Sequence, residues 1–236
     1  MVLHQALGSA EFSRRCLTQA VSLHLQLIHA ARVKLICSIL PAGRRILDLG
    51  GANGTIYDLG YPFSFERLVV VDLPPPDRCE MYRGLNMESR RTRNGPISVL
   101  YTNMTDLSEI PDGSMDLVWM GQAIEHISEA DSFLVYREVK RVLQPGGHFC
   151  LDTPNRNLTE LQTTGWIHPE HQIEYKPEHL RSNLVSAGFG ISLALGICEM
   201  SRSWRTGLFD YTDFYVGAAV SANLPACYIQ YYDCSV

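Results

Sequence analysis

The feature that most constrains this chain is an apolar segment that runs directly into a glycine-rich turn. Residues 46–55 read ILDLGGANGT, which predicts a strand, a tight turn and the start of a helix. In open α/β sheets such a turn lies at the carboxyl end of the first strand, where backbone can approach a ligand closely. Asp72 ends the next apolar run and lies 22 residues beyond Gly50. A carboxylate at this spacing is placed to accept hydrogen bonds from both hydroxyls of a ribose.

Short apolar runs alternate with helical patterns along the rest of the chain. Apolar strands separated by helices indicate a parallel sheet covered on both faces, so we expect an α/β fold with a doubly wound, mostly parallel, seven-stranded sheet. The clearest helix, over 129–143, begins after Ser128, a good N-cap residue, and ends before Pro145–Gly147. A second helix is predicted over 178–187. Strands are predicted over 45–49, 68–71, 97–101, 115–120, 148–151, 191–197 and 226–232.

The two ends of the chain differ in pattern. Apolar residues recur at helical spacing from Glu11 to Leu40, and Pro41–Gly43 stops them. We therefore predict N-terminal helices that form a helical cap over residues 1–43. Residues 44–236 are predicted to form one compact domain.

Composition excludes several classes of partner. The 236 residues carry 25 acidic and 20 basic side chains, a formal net charge of -5, and the basic residues never cluster beyond pairs. Nucleic acid is therefore not expected as a partner. The most apolar stretch, residues 20–40, is interrupted by His24, Gln26, His29, Arg32 and Lys34, so no membrane span is expected. Seven scattered cysteines without a CxxC pair, and no signal-peptide pattern, favour a cytoplasmic protein.

Two dehydrogenase patterns fail in this sequence. The dinucleotide fingerprint GxGxxG would need glycine at 50, 52 and 55, but the chain has Gly50, Ala52 and Thr55, which disfavours a nicotinamide-dependent enzyme. Tyr136 and Lys140 match the YxxxK pair of short-chain dehydrogenases. The tyrosine follows the glycine turn too closely for that family, so we interpret it as a core residue and the lysine as a surface residue.

Four further segments carry a family resemblance. VVVDL at 69–73, TNMTDLSEIPDGSMDLVWM at 102–120, EHI at 125–127 and RVLQPGGHFCLDTPN at 141–155 follow the glycine turn. In order and spacing, the whole series resembles the class I S-adenosylmethionine-dependent methyltransferases. The tail HPEHQIEYKPEHLRSNLVSAGF at 168–189 is similar to members that act on small molecules or sugars.

The resemblance implies the Rossmann-like methyltransferase fold, with S-adenosyl-L-methionine as the cofactor. Asp48 would lie under the methionine moiety, and Asp72, followed by Leu73, would hold the ribose. Asn103 and the Met104 backbone would contact adenine. The remaining implied cofactor residues form the glycine turn and the end of the fourth strand: Gly50, Gly51, Ala52, Gly54, Gly121 and Gln122.

Residues 122–126 resemble the ExxEH segment of the quinone-biosynthesis O-methyltransferases, which can hold a divalent cation. Gln122 replaces the first glutamate, so only Glu125 and His126 remain, too few for a hard cation that prefers about six oxygens. We therefore expect no metal. Two interpretations stay open: the pair shapes the cofactor pocket, or it takes part in catalysis.

The long loop over 153–176 holds His168 and His171. A histidine near neutral pKa suits removal of a proton from an acceptor hydroxyl, but these residues can equally fasten the loop through hydrogen bonds. HxxH is also half of a zinc site, yet no further Cys or His ligand lies nearby in the sequence. The catalytic candidates are His171, His126 and Glu125.

The function predicted from the sequence is methyl transfer to a small-molecule acceptor, sugar-like or phenolic, at oxygen. The alternative is a catalytically inactive protein that keeps the fold as a binding or scaffolding module. The sequence predicts no partner besides the small acceptor, and it does not predict the oligomeric state.

Overall fold

A computed structural model describes residues 26–51, 56–58, 60–78, 83–84, 87–206 and 219–236. The strands are β1 (Arg45–Leu49), β2 (Arg67–Asp72), β3 (Arg90–Arg91), β4 (Pro96–Tyr101), β5 (Met115–Gly121), β6 (Leu143–Pro154), β7 (Gly190–Glu199), β8 (Val220–Ser221) and β9 (Cys227–Ser235). The helices are α1 (residues 26–39 of the described part), α2 (Glu129–Val142), α3 (Arg156–Thr159), α4 (Pro177–Ser186) and α5 (Arg202–Arg205). Three short 3-10 helices cover Pro75–Asp77, Ile124–His126 and Leu224–Ala226.

The strands of the described residues form one mixed sheet in the order β3-β4-β2-β1-β5-β6-β9-β7-β8. The α/β class and all seven predicted strands are confirmed, but the prediction of a seven-stranded, mostly parallel sheet is wrong. Four strand pairings are parallel and four are antiparallel. β9 runs antiparallel to both of its neighbours, β6 and β7. Antiparallel pairing does not require a crossover helix, so the alternation of strands and helices in the sequence did not indicate it. The two-residue strands β3 and β8 are too short to show a period in the sequence.

The central strands bury side chains on both faces. In β2, Leu68 and Val70 belong to one hydrophobic cluster and Val69 and Val71 to the other, as expected when successive side chains point to opposite faces. The first cluster includes buried residues of α1, and the second includes buried residues of α2 and α4. Both faces of the parallel part are therefore covered, and the ends of its strands are left to form a site.

The helix α2 agrees with its sequence prediction. The Ser128 side chain accepts a hydrogen bond from the Asp131 backbone N–H at 3.1 Å, and the helix ends at Val142, before Pro145. Tyr136 is fully buried in the core and Lys140 is exposed, which confirms that the two do not form a dehydrogenase pair.

The described part of the predicted N-terminal cap is α1, which packs Ile28, Ile36 and the following Leu40 against the sheet. Residues 1–25 lie outside the described residues, so the cap over 1–43 and the domain over 44–236 stay predictions. No helix in the described ranges combines the length and the apolar character that crossing a bilayer requires.

Candidate functional site

A cavity of about 480 Å³ lies at the carboxyl ends of the parallel strands. This is the place where open α/β sheets bind ligands, and the volume suits a small molecule or cofactor. Ala52 and Gly54, two residues predicted for the glycine turn, lie outside the described residues. The predicted site residues that line the cavity are Asp48, Gly50, Gly51, Asp72, Leu73, Asn103, Met104, Gly121, Gln122 and His126.

Two glycines after β1 are required by the shape of the turn. Gly50 has φ +75°, and a Cβ on it would lie 2.8 Å from the Ala123 Cβ. Its N–H donates to the Val71 carbonyl at 2.9 Å, which ties the turn to β2. A Cβ on Gly51 would lie 2.9 Å from Val70 and 3.0 Å from the Asp48 carboxylate. The backbone therefore passes close to the sheet and leaves space on its cavity side.

Asp48 stands beneath this turn with only 2% of its surface exposed. Its Oδ2 accepts a hydrogen bond from the Ile56 N–H at 3.0 Å, so the carboxylate holds the segment after the turn. Burial raises the pKa of Asp48 to about 7, because a charge there loses its hydration.

Replacing Asp48 with Asn is expected to stabilise the cofactor-free protein more at pH 7 than at pH 5. Because the pKa of this buried acid is raised to about 7 in the folded protein, the free energy of unfolding falls as the pH rises from the ordinary pKa of an aspartate to 7. The slope is at most about 1.4 kcal/mol per pH unit, so the variant should gain roughly 2 kcal/mol over wild type across this interval. Urea unfolding at the two pH values measures the difference.

Asp116→Asn provides the control for this pH effect. Burial alone would raise the pKa of Asp116, but hydrogen bonds from Arg45 hold it below its usual range. The Asp116 carboxylate is therefore ionised in both states at pH 5 and above, and the stability difference between that variant and wild type should not change with pH. An equally flat result for Asp48→Asn would contradict the buried-acid explanation.

Asp72 is the last residue of β2, and one of its two carboxylate oxygens accepts a hydrogen bond. Its Oδ1 accepts from the Leu73 N–H at 2.7 Å and lies 3.6 Å from Arg78 Nε. Its Oδ2 is shielded from solvent and has no hydrogen-bond partner among the described residues. Burial raises the pKa of Asp72, while Arg78 opposes the rise. An acceptor left unsatisfied in a cavity wall is what a ribose hydroxyl would satisfy.

A buried ion pair beside the cavity was missed by the sequence reasoning. Arg32 of α1 lines the cavity and donates from Nε to Asp152 Oδ2 at 2.5 Å and from Nη2 to Oδ1 at 2.8 Å. Asp152 Oδ1 also accepts from the Gln122 N–H at 3.1 Å. A sequence signal existed, because Arg32 lies midway between Ile28 and Ile36 at four-residue spacing, on the apolar side of the helix.

The end of β5 is shaped around this arginine. A Cβ on Gly121 would come within 2.7 Å of Arg32 Nη2 and 2.4 Å of the Trp119 ring. Gln122 follows with φ 51°, a conformation that non-glycine residues rarely adopt and that often marks functional sites. Its side-chain Nε2 is buried without a hydrogen-bond partner among the residues described. This donor is available to a ligand in the cavity.

Three histidines meet at the other end of the cavity. The ring centre of His126 lies 4.9 Å from that of His171 and 6.1 Å from that of His168. The loop that carries the latter two is fastened to the 3-10 helix, because the N–H groups of Gln172 and Ile173 donate to the Glu125 carbonyl at 2.8 and 3.2 Å. The structure thus brings all three catalytic candidates together, although only His126 lines the cavity itself.

Burial controls the charge of this cluster. It lowers the pKa of His126 to about 4, with His171 and His168 adding to the effect, and raises the pKa of Glu125 to about 7. Glu125 is 1% exposed, and its Oε2 accepts from the Thr153 hydroxyl at 2.9 Å. His126 is therefore neutral near pH 7.

The same cluster supplies one group with the composition of a metal site. A ligand atom from each of Glu125, His126 and His171 lies within 4.8 Å of the others. The sequence reasoning counted ligands in residues 122–126 and in HxxH separately and found no further Cys or His ligand near HxxH in the sequence, whereas in the structure Glu125 and His126 lie beside His171. Folding joins the two segments across some 45 residues of chain.

The fold and the cavity define an α/β protein with a ligand-sized cavity at the carboxyl edge of its sheet. Residues 47–151 match the methyltransferase domain family. This match and the names of the relatives below support the class I S-adenosylmethionine-dependent methyltransferase superfamily, the resemblance seen in the sequence, and S-adenosyl-L-methionine as the cofactor.

Two relatives carry the name of a probable methyltransferase of this kind. A protein of Mycolicibacterium smegmatis named as a probable S-adenosylmethionine-dependent methyltransferase is 30% identical over 156 residues, which cover 66% of this chain and 56% of that protein. One of Mycobacterium tuberculosis with the same description is 35% identical over 99 residues, covering 42% of this chain and 35% of the relative. The aligned part thus spans about half or less of these relatives.

Two crystal structures show the same fold at low identity. A SAM-dependent methyltransferase from Archaeoglobus fulgidus has a TM-score of 0.60 at 16% identity, covering 88% of this chain and 92% of its own. Another from Mesorhizobium loti has a TM-score of 0.54 at 16% identity, covering 87% and 98%.

Proposed function

We propose that this protein transfers the methyl group of S-adenosyl-L-methionine to an oxygen of a small polar acceptor. The observation that carries the proposal is one cavity lined by both Asp72, the last residue of β2, and His126, which follows β5, with β1 between those two strands. The unsatisfied Oδ2 of Asp72 suits the ribose of the cofactor, and the Asp48 and Gly50 region suits its methionine part. The space beside His126 is then left for the acceptor.

The chemistry of the acceptor end favours a polar molecule with a hydroxyl group. His126, Glu170 and Gln172 line that end, and each of these side chains can exchange hydrogen bonds with a hydroxyl. A sugar-like or phenolic acceptor meets this requirement. Nucleic acid is not proposed, since the net charge of -5 offers no attraction to a polyanion.

The reaction is a direct displacement at carbon. The acceptor oxygen attacks the methyl carbon, the carbon–sulfur bond breaks, and its electron pair stays on sulfur to give S-adenosylhomocysteine. The sulfonium is already an activated donor, so the protein chiefly supplies proximity and alignment. The acceptor also loses a proton, and we assign its removal to His126, the member of the cluster that lines the cavity, with Glu125 and His171 beside it.

Incubating the purified protein with methyl-labelled S-adenosyl-L-methionine and a metabolite extract tests the proposal. We expect a labelled product of low molecular mass, identified by mass spectrometry, in which the methyl group is bound to oxygen. Cofactor that binds without transfer to any component would overturn the proposal and favour a binding or scaffolding module. Label on nitrogen or carbon would overturn the oxygen assignment alone.

A further inference from the structure

One carboxylate at the acceptor end of the cavity lacks a partner in the described part of the chain. Glu170 belongs to the loop after β6 and lines the cavity. Its Oε2 is shielded from solvent and has no hydrogen-bond partner, and no ion pair among the described residues includes Glu170. Leaving a carboxylate oxygen shielded and unpaired is costly, so a ligand is the natural source of its partner.

Hydrogen bonds of the loop hold Glu170 at this place. Its N–H donates to His168 Nδ1 at 3.3 Å, and two residues further on the Gln172 N–H donates to the Glu125 carbonyl at 2.8 Å. The Gln172 side-chain amide also donates to the His126 carbonyl at 2.9 Å. The loop is therefore fastened on both sides of Glu170, and the carboxylate is positioned beside the cavity.

His126 does not supply the missing positive charge. Burial lowers the pKa of His126 to about 4, and His171 and His168 add to the decrease, while the backbone and the charge of Glu170 oppose it. The imidazole is therefore neutral near pH 7. A cation bound at Glu170 would meet no repulsion from this neighbouring ring.

A second unsatisfied group in the cavity has the opposite polarity. Gln122 Nε2 is a buried donor, and the next residue, Ala123, lies so close to the glycine turn that a Cβ on Gly50 would come within 2.8 Å of its own Cβ. Gln122 therefore lies on the glycine-turn side, whereas Glu170 lies beside His126, the last residue of the 3-10 helix. An amide donor favours an oxygen, and a carboxylate favours a cation or another donor. Together the two groups would orient a ligand with an oxygen at one end and a positive charge at the other.

We propose that the acceptor is a small molecule with both a hydroxyl and an ammonium group, bound with its ammonium at Glu170 and its oxygen towards Gln122. The inference rests on the proposed function, which gives the Asp48 and Gly50 region to the methionine part of the cofactor and leaves Glu170 to the acceptor. Buried charges in proteins are usually paired with an opposite charge, so an ammonium satisfies Glu170 more fully than a neutral hydroxyl does.

Tyramine and 4-ethylphenol test the role of Glu170 without requiring methyl transfer, because they share a phenol and differ only in the ammonium group. NMR titration of the protein bound to S-adenosylhomocysteine measures both affinities. Wild type should bind tyramine at least about tenfold more tightly than 4-ethylphenol. Glu170→Gln, which keeps the side-chain shape, should bind the two probes equally.

The matched control is Glu109→Gln. Glu109 is exposed and lies outside the cavity, so this variant should keep the wild-type preference for tyramine. Equal affinities of wild type for the two probes would overturn the inference. A preference for tyramine that survives in Glu170→Gln, with circular dichroism confirming that the variant is folded, would overturn it as well.

Separating a metabolite extract by cation exchange before incubation with methyl-labelled S-adenosyl-L-methionine distinguishes this inference from the proposed function. We expect a labelled product from the cationic fraction, with a rate at least about tenfold lower for Glu170→Gln and unchanged for Glu109→Gln. Label transferred only to components of the neutral or anionic fractions would refute the ammonium-bearing acceptor and leave the proposed function standing. Absence of label in every fraction would refute the proposed function and, with it, the identity of the ligand as an acceptor.

Discussion

Asp72→Ala is expected to weaken the binding of S-adenosyl-L-methionine about 100-fold. In the proposed binding mode Asp72 accepts hydrogen bonds from two ribose hydroxyls, and a hydrogen bond to a charged group contributes at least about 1.5 kcal/mol. Two such bonds amount to about 3 kcal/mol, and each 1.4 kcal/mol is a factor of ten in affinity. Isothermal titration calorimetry of wild type and variant measures the change.

Asp112→Ala is the control for this loss of affinity. Asp112 is likewise a carboxylate beside an arginine, Arg141 at 2.6 Å, but it is exposed and lies outside the cavity. Its removal should leave cofactor affinity within about twofold of wild type, since surface ion pairs contribute little. Equal affinities for Asp72→Ala, Asp112→Ala and wild type would contradict the placement of the ribose at Asp72.

The central strands could be predicted because their signal is local. In β1 and β2 the apolar runs end at the residues where the strands end, within one residue of Leu49 and Asp72. Residues 50 and 51 are glycines because the backbone there passes too close to neighbouring side chains to leave room for a Cβ. Local sequence therefore predicted which residues of β1, β2 and the glycine turn line the cavity.

The edges of the sheet and the acceptor side could not be predicted in the same way. β9 pairs antiparallel with both β6 and β7, and its sequence, CYIQYYDCS, carries no signal of strand direction. His171 reaches Glu125 and His126 only because a loop over 153–176 folds back on the 3-10 helix. Contacts between distant segments carry no periodic signal, so counting ligands segment by segment missed the third one.

Arg32 shows a further limit of pattern reading. A single arginine on the apolar side of an amphipathic helix such as α1 would normally be interpreted as an exception without a function. In the structure its guanidinium is buried with Asp152, and the charge of the aspartate, against the effect of burial, raises the pKa of Arg32. The pair connects the N-terminal helix to the end of β6 at the wall of the cavity.

Arg32→Met is expected to lower the free energy of unfolding by about 3 to 5 kcal/mol, because it leaves the buried Asp152 carboxylate without its cation. The double variant Arg32→Met with Asp152→Asn should recover at least about 2 kcal/mol of that loss. Methionine approximates the length of the arginine stem, and asparagine carries no charge but keeps an oxygen for the Gln122 N–H. Urea unfolding of the three proteins at pH 7 measures both values.

The double variant distinguishes the cost of an unpaired charge from the cost of lost packing. If packing dominates, the second substitution recovers nothing and the two losses add. If the unpaired carboxylate dominates, the double variant is more stable than Arg32→Met although it departs further from the natural sequence. Additive losses would therefore refute the explanation that Arg32 stabilises the fold by neutralising Asp152. Recovery would show that the ion pair contributes little net stability, which favours a role for Arg32 at the cavity that it lines.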